Sequence, residues 1–262
     1  MAVFSLSQNI ENLGRYLKRA RFVMLPNRYG PTPILRARFN DAVFISLARR
    51  YLLSSNEKVA NSTLRATFQS LECGGRLPPH YKPYKRWTGP LLQPSDIADF
   101  DRLLGDRSVK KFCVVRHPYT RLISCYRDKF VKAHGGSGYR RKMRELGLPS
   151  RAGISFAEFL QAVARQRQTE MNSHWRIQYY NVFFDLIRYD EVLRYEQFQA
   201  RFPELVGEFY PLDQEAQRAI ITRNRQPQSS DEMVDAYFTP ELKALAQDIY
   251  RLDFETFGYD PG

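Results

Sequence analysis

Two short apolar runs, AVFISL (42–47) and YLLSS (51–55), follow a more polar opening stretch. Their aromatic and β-branched content predicts buried strands. The second run gives way to a polar loop, NEKVANST (56–63), and then to LRATFQSL, where Leu64, Phe68 and Leu71 recur at helical spacing. The same order returns further on. VKKFCVV (109–115) reads as a buried strand, RHPYT (116–120) as a turn, and RLISCYRDKF (121–130) as a helix with Leu122, Tyr126 and Phe130 on one face. Pro118 suits the first turn of that helix, where no backbone N–H is needed. Two such strand–loop–helix units predict an α/β fold with a central, mostly parallel sheet flanked by helices.

The remaining chain shows no internal repeat and no long Gly, Ser or Pro linker, so residues 1–262 read as one domain with a charged lead-in over 1–40. Residues 74–90, rich in Gly, Pro, aromatics and positive charge, read as a loop. Residues 133–153, Gly-rich and basic, read as a second loop containing one helical turn. Residues 155–166, 172–198 and the C-terminal 240–259 read as helical.

Composition narrows the class of protein. With 43% hydrophobic residues the chain can bury a sizeable core. The 40 Lys and Arg outnumber the 28 Asp and Glu, and the net charge of +12 favours an anionic partner without choosing among nucleic acid, membrane surface, acidic polysaccharide and phosphorylated cofactor. Three cysteines supply no disulfide framework and point to a reducing compartment. The first 25 residues lack the apolar stretch of a signal peptide or anchor, so a cytoplasmic location is the expectation.

The candidate chemistry lies where the two strands run into helices, because unpaired N–H groups and the helix dipole make such junctions phosphate sites. The first junction offers Lys58, Asn61, Ser62 and Thr63. The spacing is not that of a Walker A loop, and by itself it also fits a solvated loop with Ser62 or Thr63 as helix cap. The second offers Arg116 and Ser124, eight residues apart, with Arg121 and Arg127 between and beyond. An arginine presents a planar fork of donors suited to phosphate, and serine adds a neutral hydroxyl.

These residues carry a resemblance. EKVANSTLR (57–65) is similar to the 5′-phosphosulfate loop of the membrane-type carbohydrate sulfotransferases, written PKVACTNWK or PKxxxTS. VVRHPYTRLISCYRDKF (114–130) resembles their 3′-phosphate motif, close to VRDPFERLVSAYRDKF. NSHWRIQ (172–178) resembles the HWxPQ segment, YDEVLRYEQF (189–198) the YDxIGKYE stretch, and DFETFGY (253–259) the DFxLFGY ending. Order and spacing agree from about residue 43 onward, nearest to the chondroitin and dermatan 4-O-sulfotransferases, with heparan 2-O-sulfotransferase more distant.

The resemblance implies a P-loop-like sulfotransferase fold. It also implies an enzyme that moves a sulfuryl group from 3′-phosphoadenosine-5′-phosphosulfate (PAPS) to a carbohydrate hydroxyl, the carbohydrate being acidic or neutral. Lys58 would meet the 5′-phosphate and the bridging oxygen, and Asn61, Ser62 and Thr63 would complete that cradle. Arg116 and Ser124 would hold the 3′-phosphate. Because the transferred group carries one negative charge, no metal is required, and no zinc-like spacing is present. Glu57, Asn61 and His117 depart from the family pattern, which has proline, cysteine or another small residue, and an acidic residue there. The Golgi anchor and most of the family's cysteines are missing, which suggests a bacterial or otherwise cytosolic member.

Histidine is best matched to act as general base near neutral pH. His80 lies in the interval that supplies the base in the heparan 2-O enzyme and is the first candidate; an exposed loop histidine is the plain alternative. His174 is second, against a structural histidine bonded to backbone. His117 lies inside the 3′-phosphate motif, and His134 sits in the Gly-rich loop. Tyr84 and Trp87 would stack on sugar rings while Lys82, Lys85 and Arg86 meet acidic groups, and Arg140, Arg141 and Lys142 would form a basic lid. The rival from another class is a non-catalytic protein binding nucleic acid or acidic glycan. It accounts for the charge, but the chain carries no RNA- or DNA-binding signature and two phosphate elbows would go unexplained.

Overall fold

The computed structural model describes residues 25–75, 89–132, 134–149, 153–211 and 230–262. Helix α1 (Pro33–Ala42) runs straight into strand β1 (Val43–Ser46), which forms an antiparallel hairpin with β2 (Tyr51–Ser54), Val43 opposite Ser54. Helix α2 (Asn61–Glu72) follows, then the short α3 (Phe100–Gly105) and strand β3 (Lys110–Val115). Helix α4 (Pro118–Tyr126) continues into a wider π-type turn, Arg127–Val131. After α5 (Ser137–Glu145), α6 (Phe156–Ala164) and the single turn α7 (Gln178–Asn181) comes strand β4 (Glu191–Arg194). Helices α8 (Phe198–Gly207), α9 (Ser230–Tyr237) and α10 (Pro240–Phe257) complete the chain.

The sheet order is β1-β2-β3-β4, with β2, β3 and β4 parallel: Leu53 lies opposite Phe112, and Phe112 opposite Glu191. This is the mostly parallel α/β sheet expected, and its strands read as continuous apolar runs because both faces are covered. Along β3, Cys113 and Val115 pack on one side with Leu122, Trp175 and Tyr250, while Phe112 and Val114 pack on the other with Leu64, Phe68 and Phe202. A third cluster around Phe39, Ile45, Leu52 and Ile187 closes the β1 edge. Parallel strands point their C-terminal ends the same way, so the loops after β2 and β3 open side by side.

Three expectations need correction. Residues 172–198 are not one helix: they hold the α7 turn, irregular chain and β4. Their apolar residues serve three separate clusters, with Trp175 and Val182 in one, Phe183 and Ile187 in another, and Leu193 and Phe198 in the third, and no single helix face can reach all three. The basic stretch 133–153 contains a full helix, α5, in which Tyr139, Met143 and Leu146 bury a stripe at helical spacing beneath the exposed Arg140, Arg141 and Arg144. The lead-in, too, ends in an ordered helix, α1, capped by Thr32. Among the described residues no helix is long and apolar enough to cross a membrane.

Candidate active site

Asn56 to Ala60 form the turn between β2 and α2. Lys58 and Ala60 both take left-handed backbone angles, φ +70° and +62°, which cost a non-glycine residue about 1–2 kcal/mol each. Such turns build the concavities in which successive N–H groups meet an anion. Val59, fully buried, anchors the turn from below. Among the described residues no side chain caps α2, whose first helical bond is donated by Leu64 to the Ala60 carbonyl. Asn61, Ser62 and Thr63 are therefore its first three residues rather than caps, and the Asn61 Oδ1 is buried with no hydrogen-bond partner among the described residues. An uncapped helix start beside a lysine fits a phosphate group.

The second loop is held just beside it. Arg116 directly follows β3 and is buried; its Nε donates to Thr120 Oγ1 at 3.0 Å and its Nη1 to the Lys58 carbonyl at 3.3 Å, while the guanidinium lies 4.4 Å from the Tyr195 ring centre. Burial lowers its pKa, and Tyr195 and Glu196 oppose the shift. Ser124 sits half-buried in the second turn of α4. Lys58 Nζ turns toward the end of α4 and meets Asp128 Oδ2 at 2.9 Å, the same oxygen that Lys129 Nζ reaches at 2.9 Å. Burial works against ionisation of Asp128, but hydrogen bonds from the two lysines outweigh it and hold the carboxyl down at about 2.

Beneath both loops runs a buried polar network that sequence reasoning did not find. Gln178 Oε1 accepts from the Arg116 N–H at 2.9 Å and from Asn56 Nδ2 at 3.0 Å, and its Nε2 donates to the Arg116 carbonyl at 2.7 Å. Asp253 of α10 accepts from the backbone N–H groups of Gln178 and Tyr179, both at 2.9 Å. Burial raises the Asp253 pKa to about 6 against the pull of those donors. Arg121, fully buried, donates to the carbonyls of Glu57 (3.0 Å), Arg176 (2.9 Å) and Ser173 (3.0 Å). It thus ties the first phosphate-type loop to the 173–176 turn. Arg121, Gln178 and Asp253 were marked only by the motif strings that contain them, and Asn56 only by its place in the polar loop, since a buried polar partner leaves no periodic trace.

The histidines separate by environment. His174 bonds through Nδ1 to Asn172 Oδ1 at 2.7 Å; burial first, then the positive charges of Lys129, Lys142, Lys58 and Arg121, push its pKa down to about 2, so the ring is neutral and stands within the field of Lys58. His117 caps α4, accepting from the Tyr119 N–H at 3.3 Å while Nε2 meets the Asp260 carbonyl at 3.0 Å, and it packs against Tyr119, Phe254 and Tyr259. His134 is exposed, edge-on to Tyr139. His80, with Lys82, Tyr84, Lys85, Arg86 and Trp87, lies outside the described residues. Lys142 does not belong to a lid: it is buried over Trp175 and paired with Glu145 at 2.9 Å. Among the described residues no group of His, Cys, Asp and Glu is arranged to hold a metal ion.

A model of the "Sulfotransferase family" matches residues 50–260. "Carbohydrate sulfotransferase 11" of Danio rerio is 28% identical over 188 residues, covering 64% of this chain and 51% of that protein. "Carbohydrate sulfotransferase 14" of Homo sapiens is 30% identical over 159 residues, covering 57% of this chain and 42% of that protein. The chain thus spans about half the length of the curated relatives it matches. No solved structure matches it.

Proposed function

Because the chain belongs to the sulfotransferase family, we propose that it transfers a sulfuryl group from PAPS to a hydroxyl of a carbohydrate acceptor. The observation that carries this reading is the contact between the two loops, Arg116 Nη1 to the Lys58 carbonyl at 3.3 Å. It sets a cation-bearing turn and a buried guanidinium side by side at the C-terminal ends of neighbouring parallel strands, where α/β folds take nucleotides. The relatives' names supply the acceptor class.

In this reading Lys58, with the N–H groups opening α2 and the side chains of Asn61, Ser62 and Thr63, holds the 5′-phosphate end. Arg116 and Ser124 hold the 3′-phosphate. The acceptor oxygen attacks sulfur in line, the bond from sulfur to the bridging phosphate oxygen breaks, and the acceptor proton passes to a base. Charge grows on the departing phosphate oxygen, and Lys58 opposes it. His80 and His174 are the candidate bases. For His174 burial is the first cause of the depressed pKa; of the cations that add to it, Lys58 is the one the cosubstrate's phosphate would neutralise, which relieves that part of the shift. Fixed cations supply the charge stabilisation, which makes a metal dispensable in this scheme. The unpaired Cys73, Cys113 and Cys125 support a reducing, cytoplasmic location.

Calorimetric titration with adenosine 3′,5′-bisphosphate, with ATP as control, tests the reading. Preference for the bisphosphate, lost in Arg116→Ala and weakened in Lys58→Ala, is the expected result. Equal binding of ATP, or bisphosphate binding indifferent to both substitutions, refutes it and restores the polyanion-binding alternative.

A further inference from the structure

A partly enclosed cavity of about 140 Å³ lies between α1 and the 172–176 turn. Its walls are Arg38 and Asp41 of α1, Glu57 of the first loop, and Asn172, Ser173 and Arg176 of the turn. Glu57 precedes Lys58 and Ser173 precedes His174, so the cavity adjoins both segments that the proposed reaction uses. Arg121 locks these two walls together through its bonds to the Glu57 and Ser173 carbonyls.

The lining is built rather than incidental. Arg176 is 6% exposed, and its Nε and Nη2 both donate to Gln168 Oε1, at 3.2 and 3.0 Å, which fixes the plane of the guanidinium. Burial and the nearby Arg38 lower its pKa to about 10, which leaves it charged at neutral pH. Arg38 is held through Nη1 on the Thr169 carbonyl at 3.0 Å. Two guanidinium groups and two carboxylates, Asp41 and Glu57, line the same space, and their formal charges cancel. That balance does not suit an anion. It does suit vicinal hydroxyls, each of which both donates and accepts, since guanidinium N–H groups beyond those spent on Gln168 and Thr169 stand beside two carboxylates. An enclosed space of roughly 150 Å³ takes a bare six-membered ring such as benzene, and because this cavity is only partly enclosed, a pyranose's outer substituents can extend through its mouth.

We propose that this cavity is the acceptor subsite and seats one uncharged pyranose ring through its vicinal hydroxyls, with Arg38 and Asp41 as specificity-determining residues. The proposal rests on the sulfotransferase reading. It places part of the specificity on α1, which lies outside the 50–260 segment that matches the family, so this wall belongs to the chain rather than to the shared motifs.

The test is ligand-observed saturation-transfer NMR on the full chain with adenosine 3′,5′-bisphosphate present. The probes are methyl β-galactopyranoside, methyl β-glucopyranoside and glucuronate, and the bisphosphate is titrated calorimetrically on the same samples. Wild type is expected to transfer saturation to at least one neutral glycoside. Binding should weaken roughly fivefold in Arg38→Ala and in Asp41→Asn, as for one lost hydrogen bond. Bisphosphate affinity should stay within about twofold, as for a separate site. Melting temperature checks that both variants are folded, and Asp41→Asn, which keeps size and shape, carries the test if Arg38→Ala is not. Transfer that is absent, or unchanged in the variants while the bisphosphate binds, overturns the subsite alone. Preferential binding of glucuronate that Arg38→Ala abolishes overturns the uncharged ligand in favour of an anion. Failure of wild type to bind the bisphosphate removes both the subsite and the sulfotransferase reading.

Discussion

Lys58 Nζ lies 2.9 Å from Asp128 Oδ2, joining the turn after β2 to the end of α4 across 70 residues of chain. The lysine assigned to the cosubstrate's phosphate therefore already has a counterion, which it shares with Lys129. An incoming phosphate must compete with that carboxylate. Because the Asp128 carboxyl is held at about 2, below its ordinary 3.8, the pair is intact at neutral pH and is lost only as pH falls through about 2.

Asp128→Asn should accordingly tighten binding of adenosine 3′,5′-bisphosphate, by roughly threefold to fivefold, the scale of one partly exposed ion pair. The gain should shrink as salt is added. Calorimetry at two ionic strengths measures it. Weaker binding in the variant would mean that Asp128 positions Lys58 for the ligand instead of competing with it.

His174 gives the fold a pH dependence with a definite sign. Unfolded, the ring takes a proton near 6.5; folded, it does so only near 2. Stability is therefore lost as pH falls below 6.5, at up to about 1.4 kcal/mol per pH unit from this one group. Asp253 works the other way: its carboxyl is raised to about 6, so its contribution is complete below 3.8 and is lost as pH rises through about 6. The difference between wild type and His174→Gln isolates the histidine. Urea unfolding between about pH 6.5 and 4.5 should show a shallower loss in the variant, and parallel curves would contradict the assignment.

Gln178 is the bridge between the two phosphate-type loops. Truncation in Gln178→Ala leaves the Arg116 N–H, the Arg116 carbonyl and the Asn56 amide without this partner. Asn56 keeps its bond to the Val114 carbonyl, so at about 1–3 kcal/mol for each of the two orphaned Arg116 groups the variant should lose roughly 2 kcal/mol or more. It should also bind the bisphosphate more weakly, since the β3 end it fixes carries Arg116. Thermal unfolding and calorimetry read the two effects, and a fully stable variant with intact binding would show that the network does not hold the loops.

Arg121 differs from the other cations in reaching no ligand position: its fork is spent on three backbone carbonyls and the Asn56 side chain. Arg121→Lys keeps the charge but cannot span these acceptors. A loss of about 2–4 kcal/mol in stability, on the scale of a broken buried charged network, is expected from denaturant unfolding. An unchanged midpoint would refute that role.

The sequence by itself determined the strands at 42–55 and 109–115, the helices after them, and the placement of Lys58 and Arg116 at strand ends. Periods of two and 3.6, a proline at a helix start and a polar break after an apolar run are local signals, and the motif resemblance is local too. The α5 helix was hidden because its buried stripe of Tyr139, Met143 and Leu146 is interleaved with arginines. The stretch 172–198 misled because apolar residues bound for three different clusters add up to a helix-like run. Only the tertiary structure decided that β2 and β3 are neighbours, that Lys58 faces Asp128, that Gln178 joins Asn56 to Arg116 over 122 and 62 residues, and that Arg38 meets Arg176 across a cavity. The physical reason is that a polar side chain's partner is chosen by burial: once desolvated it must bond to whatever group the fold brings within 3 Å or so, and that choice leaves no periodicity in the chain.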